Sequence, residues 1–358
     1  MDRIFFTVGP TEVFPEVGNL YNEAFENKLF SISHRSKEFE RIFQFTVSSL
    51  KELLGIPEDF YIFFISSATE CMERVIENLV EKESFHFVNG YFAKRFYNIS
   101  AQLKKNPKSA ETAFGTGYDF GNVFVPDSSE IVCITQNETS TGVAIPTDMI
   151  YTLKNRYPDK LFVIDAVTSV PYTKFKFDLI DAAFFSVQKG FGMPPGLGVL
   201  IVNRKCIAKA QSLADRGFNT GSYNNFLKLA LNADKSQTTI TPNIPAIYVL
   251  GKICDRLCRT GIETIREEIK KRANLAYNFF DKHNSVRPFV KEKTWRSDTT
   301  IVLDVDGDTE KIMYKLAYNG LIVSEGYGEF KGRQIRIGNF PVHSAQDYLN
   351  LIYNFRKI

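Results

Sequence analysis

The chain contains 358 residues, of which 44% are hydrophobic and 24% are charged, and its formal net charge is +3. So small a net charge does not indicate a protein that binds nucleic acid or a membrane surface. The five cysteines are odd in number and lack clustered histidines, which argues against a disulfide framework and a metal site. No apolar run approaches the roughly 20 residues of a membrane helix. We expect a cytoplasmic protein with a large and a smaller domain.

Short apolar runs between residues 60 and 203 alternate with amphipathic segments. The runs are rich in Ile, Val or Phe, as is typical of buried strands, whereas segments such as Glu70–Lys82 and Phe92–Leu103 have helical spacing. This alternation predicts an α/β fold, with a mostly parallel sheet in three layers and helices on both faces. The predicted strands are Tyr61–Ile65, Ser84–Val88, Ile131–Thr135, Leu161–Asp165, Ala182–Ser186 and Gly198–Asn203.

The alternation of apolar runs and amphipathic segments ends before residue 245, and a different order of elements follows. A long helical stretch runs from Ala246 to about Lys282, and Gly261 is expected to break it. The remaining elements predict a smaller α+β unit, and we place the large domain at residues 15–255 and the small domain at residues 256–358 together with 1–14. Its predicted elements are the strands Thr299–Val305, Ile322–Ser324 and Gln334–Ile337 and a closing helix from Ser344.

Two charged residues follow buried strands at the sheet edge where α/β proteins bind ligands. Lys189 lies between an apolar run and the Gly- and Pro-rich residues 190–196, and Asp165 ends another apolar run. Taken singly, the lysine could lie on the surface and the aspartate could cap a helix. Together they suit pyridoxal phosphate, because a desolvated lysine forms a Schiff base and an aspartate keeps a pyridine nitrogen protonated.

A phosphate site is expected where Ser66–Thr69 follows a strand and opens a helix, since helix N-termini bind anions. The alternative is a simple Ser or Thr helix cap with Glu70 in the first turn. Gly190 and Gly192 do not form a dinucleotide motif, because the prolines that follow cannot continue into the helix which that motif requires.

Ordered motifs over nearly the whole length resemble the class V (fold type I) pyridoxal-phosphate-dependent aminotransferases. Within them, the chain is similar to the group that contains phosphoserine aminotransferases and serine/alanine–glyoxylate aminotransferases. The matching segments are Thr7–Glu12, Ser33–Phe39, Ser67–Thr69, Asn89–Phe92, Asn137–Gly142, Asp165, Ser186–Lys189, Thr241–Pro242 and Arg336–Gly338.

The resemblance implies a role for each matching residue at the cofactor. Lys189 would form the Schiff base with pyridoxal 5'-phosphate and later move a proton between the substrate Cα and the cofactor. Asp165 would pair with the pyridinium nitrogen, and Phe92 would stack on the ring. Further cofactor contacts are implied for Ser67, Ala68 and Thr69 at the phosphate, for Thr139 and Gln188 at the cofactor oxygens and phosphate, and for Thr241 from a second subunit.

The resemblance also implies a homodimer with active sites at the subunit interface and a ping-pong exchange between an L-amino acid and a 2-oxo acid. Arg336 would bind the substrate α-carboxylate, with Gly9 beside the substrate. His34 and Arg35 resemble the pair that binds the substrate phosphate in phosphoserine aminotransferases, although His34 could equally be a packed interface histidine. We therefore expect a phosphoserine:2-oxoglutarate aminotransferase of serine biosynthesis.

Three alternatives remain at this stage. Residues 326–333 lack the second His-Arg pair of the phosphoserine branch and resemble the serine/alanine–glyoxylate or –pyruvate branch. In a phosphoserine aminotransferase, Lys331 or Arg333 would have to replace the missing phosphate-binding cations. A lyase such as a cysteine desulfurase would need a loop cysteine and usually a histidine before the lysine, where this chain has Gln188. A catalytically silent member would be expected to have lost Lys189 or Asp165.

Overall fold

A computed structural model describes residues 3–357; residues 1, 2 and 358 of the predicted small domain lie outside the described residues. The helices are α1 (Val17–Glu26), α2 (Lys37–Leu54), α3 (Ala68–Leu79), α4 (Tyr91–Gln102), α5 (Thr147–Arg156), α6 (Arg204–Asp215), α7 (Phe226–Ala233), α8 (Ile244–Thr260), α9 (Ile262–Phe280), α10 (Thr309–Tyr318) and α11 (Ala345–Phe355). The strands are β1 (Ile4–Phe5), β2 (Tyr61–Ile65), β3 (Ser84–Val88), β4 (Lys108–Glu111), β5 (Ile131–Thr135), β6 (Asn137–Glu138), β7 (Val143–Ala144), β8 (Leu161–Asp165), β9 (Ala182–Ser186), β10 (Gly198–Val202), β11 (Val286–Pro288), β12 (Thr300–Val305), β13 (Leu321–Ile322), β14 (Ser324–Glu325) and β15 (Gln334–Gly338).

The main sheet has seven strands in the order β2-β10-β9-β8-β5-β3-β4. Only β10 runs antiparallel to its neighbours. Successive side chains point to opposite faces, so Phe184 packs with the cluster of α3, α4, α6 and α7, whereas Phe185 packs with that of α2, α5 and α8. Each fully buried side chain of this kind contributes about 1.5–3 kcal/mol. The predicted three-layer α/β fold is confirmed.

The six predicted strands of this sheet are all present, with small differences at their ends. The seventh strand, β4, was not predicted, because this edge strand is partly exposed and lacks an apolar run. β10 stops before Asn203, because the Asn203 side chain accepts a hydrogen bond from the Cys206 amide (3.0 Å) and caps α6. The helix predicted from Glu70 begins two residues earlier, at Ala68, because Ser67 is its N-cap. No helix in residues 3–357 has the length and apolar character that crossing a bilayer requires.

The C-terminal part forms a second, antiparallel sheet in the order β11-β12-β15-β14. It shares a hydrophobic core with α9, α10 and α11, and with Phe6 from the N-terminus. The expected break at Gly261 is present between α8 and α9. The strand predicted over Ile322–Ser324 is two strands, because β13 pairs with β1 and β14 pairs with β15. The domain boundaries at residues 14/15 and 255/256 stay a prediction.

Candidate active site

A cavity of about 270 Å³ lies where the strands of the main sheet end. β8 and β9 run parallel and in register, with Asp165 opposite Phe184, so Asp165 and the residues after Ser186 emerge at the same edge. Most of the predicted site residues line this cavity. They are Gly9, Ser67, Ala68, Thr69, Phe92, Thr139, Asp165, Gln188 and Lys189.

Lys189 is buried, with 9% of its surface exposed, and its Nζ donates a hydrogen bond to the Val8 carbonyl (3.0 Å). The N-terminal segment is held beside it by a bond from the Thr11 amide to the Gln188 carbonyl (3.0 Å). Gly9 has φ +144°, which side chains rarely adopt, and a Cβ there would lie 2.1 Å from the Nζ and displace the amine. Burial, followed by the charge of Arg336, lowers the pKa of Lys189 to about 8.

Asp165 is also buried, with 3% of its surface exposed. Its Oδ1 accepts from the Val167 amide (3.0 Å), and its Oδ2 has only a long contact with the Thr135 hydroxyl (3.5 Å). Burial raises the pKa of this carboxyl to about 7, against the opposing effect of the Val167 bond. A cationic N–H donor in the cavity would therefore stabilise the carboxylate strongly.

The N-terminus of α3 forms another wall of the cavity. Ser67 caps this helix, since its hydroxyl accepts from the Glu70 amide (3.1 Å), as the alternative interpretation of the motif expected. The Ser186 hydroxyl accepts from the Ala68 amide (2.8 Å), which ties the helix start to β9. The capped end still points its positive dipole at the cavity, where Thr69 lies.

The other predicted cofactor contacts surround the lysine. The Phe92 ring centroid lies 6.0 Å from the Lys189 Nζ. The Thr139 hydroxyl bonds to the Thr168 hydroxyl (3.0 Å). The Gln188 Oε1 is buried and has no hydrogen-bond partner within residues 3–357, which is the state expected of an acceptor that serves a ligand.

Arg336 lies on β15 next to this cavity and is buried, with 9% of its surface exposed. Its Nε donates to the Glu325 carbonyl (2.8 Å), and its Nη1 approaches the Thr139 carbonyl (3.4 Å). Within the described part of the chain, no carboxylate lies within 4.0 Å of the guanidinium. Burial lowers the pKa of Arg336 to about 10, so it stays protonated and favours an anionic ligand.

Besides Arg336, three predicted site residues do not line the cavity, and they form an outer cluster of His34, Arg35 and Thr241. The Thr241 hydroxyl lies 3.3 Å from the His34 Nδ1. Arg35 is exposed, and its Nη1 donates to side-chain oxygens of Asn232 (2.8 Å) and Gln237 (2.7 Å). Burial and the Arg35 charge lower the pKa of His34. Action of this cluster across a subunit interface stays a prediction.

Glu138 shapes the site but was assigned no role from the sequence. One of its oxygens accepts from the amides of Phe92 (3.1 Å) and Ala93 (2.8 Å), and the other accepts from Ser140. A Cβ on Gly90 would lie 2.3 Å from its Cγ. The carboxylate thus fixes the start of α4. Gly90 and Glu138 both lie in segments that resemble the class V family, but nothing in either segment indicates that the two residues are in contact.

Arg95 and Tyr327 also line the cavity and were not predicted. The Arg95 guanidinium donates to the Tyr327 hydroxyl (3.2 Å). A usable signal did exist for Arg95, because a residue three positions after Phe92 on a helix lies on the same face. The proposed substitutes Lys331 and Arg333 are exposed and do not line the cavity.

Comparisons with known proteins agree with this geometry. Residues 118–329, more than half of the chain, match the family described as aminotransferase class-V. The phosphoserine aminotransferase of Rhodococcus opacus is 25% identical over 353 residues, covering 97% of this chain and 92% of that protein. The crystal structure of a phosphoserine aminotransferase from Cytophaga hutchinsonii has a TM-score of 0.97 and 38% identity, covering 99% of this chain and 98% of that one.

A more distant solved structure shares the fold. The alanine–glyoxylate aminotransferase of Nostoc sp. has a TM-score of 0.79 at 20% identity, covering 100% of this chain and 95% of that one. The expectation drawn from the ordered motifs is thereby confirmed. The chain belongs to the class V aminotransferase family and is an aminotransferase.

Proposed function

We propose that the protein transfers the amino group of L-phosphoserine to 2-oxoglutarate with pyridoxal 5'-phosphate as cofactor. The observation that carries the proposal is a buried lysine and a buried aspartate that face one cavity at adjacent strand ends, beside an arginine without a carboxylate partner. The substrate is supported by the relatives named phosphoserine aminotransferase, one of them 38% identical over nearly the whole chain. No cysteine is among the described residues that line the cavity, which disfavours a desulfurase.

The residues present fit this cofactor. Asp165 has few donors of its own and would hold a protonated ring nitrogen. The N-terminus of α3 would bind the phosphate. The unpartnered Gln188 Oε1 would accept a hydrogen bond from a donor on the ring, and Phe92 would cover one ring face. When bound, pyridoxal phosphate supplies an aldehyde that bonds to amines and a cationic ring that accepts the electron pair left at the substrate Cα.

Lys189 would hold the cofactor aldehyde and then move the proton at the substrate Cα. A pKa of about 8 leaves a fraction of the amine neutral near pH 7, as a proton acceptor requires. The bond to the Val8 carbonyl orients the amine. The Phe92 and Tyr327 rings, with centroids 5.3 Å apart, cover part of the same cavity with apolar surface. The chemistry therefore depends on an amine that is both desolvated and fixed in place.

Arg336 would orient every amino acid substrate by its α-carboxylate. We expect Arg336→Ala to raise the KM for all donors by about 10²-fold, since a charge-assisted bidentate contact is lost. Arg336→Lys should recover only part of this, because a lysine cannot form the paired contact. The measurement is single-turnover kinetics with phosphoserine, serine, alanine, glutamate and aspartate. Arg333→Ala, which removes an exposed guanidinium nearby, should leave the KM values unchanged.

The same donor panel on the wild-type enzyme tests the proposed substrate. Phosphoserine should have the highest kcat/KM of the five donors. A kcat/KM for serine or alanine that equals or exceeds it would instead support the serine/alanine–glyoxylate or –pyruvate alternative. A KM that does not change in Arg336→Ala would remove Arg336 from the substrate site while leaving the choice of donor open to the panel.

We further propose that the enzyme is a homodimer in which the outer cluster of one chain completes the site of the other. A double variant, Arg35→Ala with Thr241→Val, should lose most of its activity. When it is unfolded and refolded together with Lys189→Ala, hybrid dimers contain one intact site, and about a quarter of the wild-type activity should return. Mixing Lys189→Ala with Asp165→Asn provides the control. Both residues belong to the cavity of a single chain, so each of the two sites in a hybrid dimer contains one substitution and no activity should return. Activity equal to the parents' average would contradict the shared site.

A further inference from the structure

The guanidinium of Arg95 lines the cavity, and Arg336 lies next to it. Arg95 lies on α4 one turn after Phe92, and its Cζ is 5.1 Å from the Phe92 ring centroid. Its Nη2 donates to the Tyr327 hydroxyl (3.2 Å). These two contacts hold the long side chain against the cavity wall, so its charge has a defined position there.

The Arg95 charge has no neutralising partner in the described part of the chain. No carboxylate of residues 3–357 lies within 4.0 Å of its guanidinium, whereas the preceding Lys94 pairs with Glu111 (3.2 Å) outside the cavity. Its charge acts inside the site, because it contributes, after Arg336, to lowering the pKa of Lys189. A half-buried cation that is held in place but not neutralised favours an anionic ligand.

The two arginines occupy different positions along Tyr327. Arg336 lies against the ring, with its Cζ 5.4 Å from the centroid, whereas Arg95 contacts the hydroxyl at the far end of the same side chain. A ligand with a carboxylate at Arg336 and a second anionic group could therefore reach both cations. The carboxylates nearby do not compete, since Asp165 faces the opposite charge of Lys189 and Glu138 is bonded to backbone amides.

We propose that Arg95, positioned by Tyr327, binds the second anionic group of the substrates: the phosphate of phosphoserine and the distal carboxylate of glutamate or 2-oxoglutarate. This inference rests on the proposed function and names the residue that selects the substrate within one chain. Arg95 takes the place of Lys331 and Arg333, which were considered from the sequence as replacements for the missing phosphate-binding cations. Both are exposed, and Arg333 instead donates to the Glu329 carbonyl (2.6 Å).

The test compares Arg95→Gln, Arg95→Lys and the matched control Lys94→Gln in the cofactor-loaded enzyme. Arg95→Gln should lower kcat/KM for phosphoserine and glutamate by about 10- to 100-fold, mostly through KM, and change the value for serine less than about twofold. Arg95→Lys should lie between wild type and Arg95→Gln. Lys94→Gln, which removes a neighbouring cation of the same helix, should change none of these values. Tyr327→Phe should shift phosphoserine in the same direction by a smaller factor.

The outcomes separate this inference from the proposed function. A wild-type enzyme without preference for phosphoserine over serine overturns the function and the inference with it. A wild-type preference that persists in Arg95→Gln overturns the inference alone and assigns the phosphate to other groups. Equal losses for serine and phosphoserine, together with weaker equilibrium binding of the cofactor measured by its absorbance, would also overturn it, because Arg95 would then serve the cofactor or the fold. Thermal unfolding of each variant identifies losses caused by the fold.

Discussion

Lys189→Ala should abolish amino transfer, with kcat lower by about 10⁴-fold or more, because one residue supplies both the amine for the cofactor and the proton acceptor. The side chain is buried, so no solvent amine replaces it at ordinary concentrations. The variant should still fold, since removing a buried amine whose pKa is lowered by desolvation relieves a cost of burial. The measurement is single-turnover conversion of phosphoserine, together with the visible absorption of the lysine-bound cofactor, which should disappear.

Chemical rescue provides the control for this variant. The space left by the side chain adjoins the cavity, so a small primary amine such as methylamine should restore part of the rate in Lys189→Ala. It should do nothing for the wild type. Lys189→Arg keeps a positive charge but offers no amine of comparable reactivity, and it should not be rescued. Full activity in either variant would show that another lysine performs the chemistry.

The pH dependence follows from the environment of the same amine. Its pKa is lowered to about 8, so the neutral, reactive form is reached as pH rises through 8 rather than through the ordinary range of lysine. The rate at which the cofactor-free protein takes up pyridoxal phosphate should rise accordingly, with its midpoint near pH 8. In Arg336→Ala the midpoint should move upward, because the Arg336 charge helps to lower that pKa. Stopped-flow absorbance from pH 6 to 10 measures both midpoints.

The sequence predicted the parts of this fold and site that depend on local patterns. Six of the seven strands of the main sheet are short apolar runs that are nearly or fully buried, so composition located them. The edge strand β4 has no apolar run and is partly exposed, so it was missed. Lys189 and Asp165 could be predicted because parallel strands place their carboxyl ends at one edge, which brings residues that follow different strands together. In these cases the relevant signal is contained in the sequence of one strand and of the residues that follow it.

The remaining features depend on contacts between distant segments. Arg95 and Tyr327 are 232 positions apart, and no pattern at either residue indicates the other. The two short strands after residue 320 belong to different sheets, which the apolar run itself does not reveal. Arg35 and Thr241 of the outer cluster are exposed, and no local pattern in the sequence indicates what would contact them. Each case requires knowledge of packing between elements.

The buried carboxylate of Asp165 is expected to favour activity and to lower stability, and the variant Asp165→Asn tests both effects. The amide keeps the shape of the side chain but cannot stabilise a protonated ring nitrogen by charge, so kcat should fall by about 10²- to 10³-fold. The affinity for amino acid substrates should change little, because Arg336 is untouched. Single-turnover kinetics across the donor panel measure the change, and equal effects on KM and kcat would contradict it. Asp181→Asn, at the opposite end of β9, is the matched control and should leave kcat unchanged.

Whereas Asp165→Asn should lower kcat, it should raise the free energy of unfolding of the cofactor-free protein. The folded pKa of Asp165, about 7, lies above its ordinary value of 3.8, so the fold favours the protonated carboxyl. This stabilisation is complete below about pH 4 and is lost as pH rises from there through the folded pKa. The amide that replaces this carboxyl in Asp165→Asn never ionises. The free energy of unfolding of the variant should therefore exceed that of the wild type at pH 8, by on the order of 1 kcal/mol, and approach it at about pH 4.

Urea unfolding at the two pH values measures this difference. Asp181→Asn should destabilise the protein at both, since it leaves the buried Lys154 without its ion-pair partner at 2.9 Å. A variant at position 165 that loses stability as well as activity would assign Asp165 a structural role like that of Asp181. A variant that gains stability while losing activity would show that the carboxylate is kept for the reaction, at a cost to the fold that only the bound cofactor offsets.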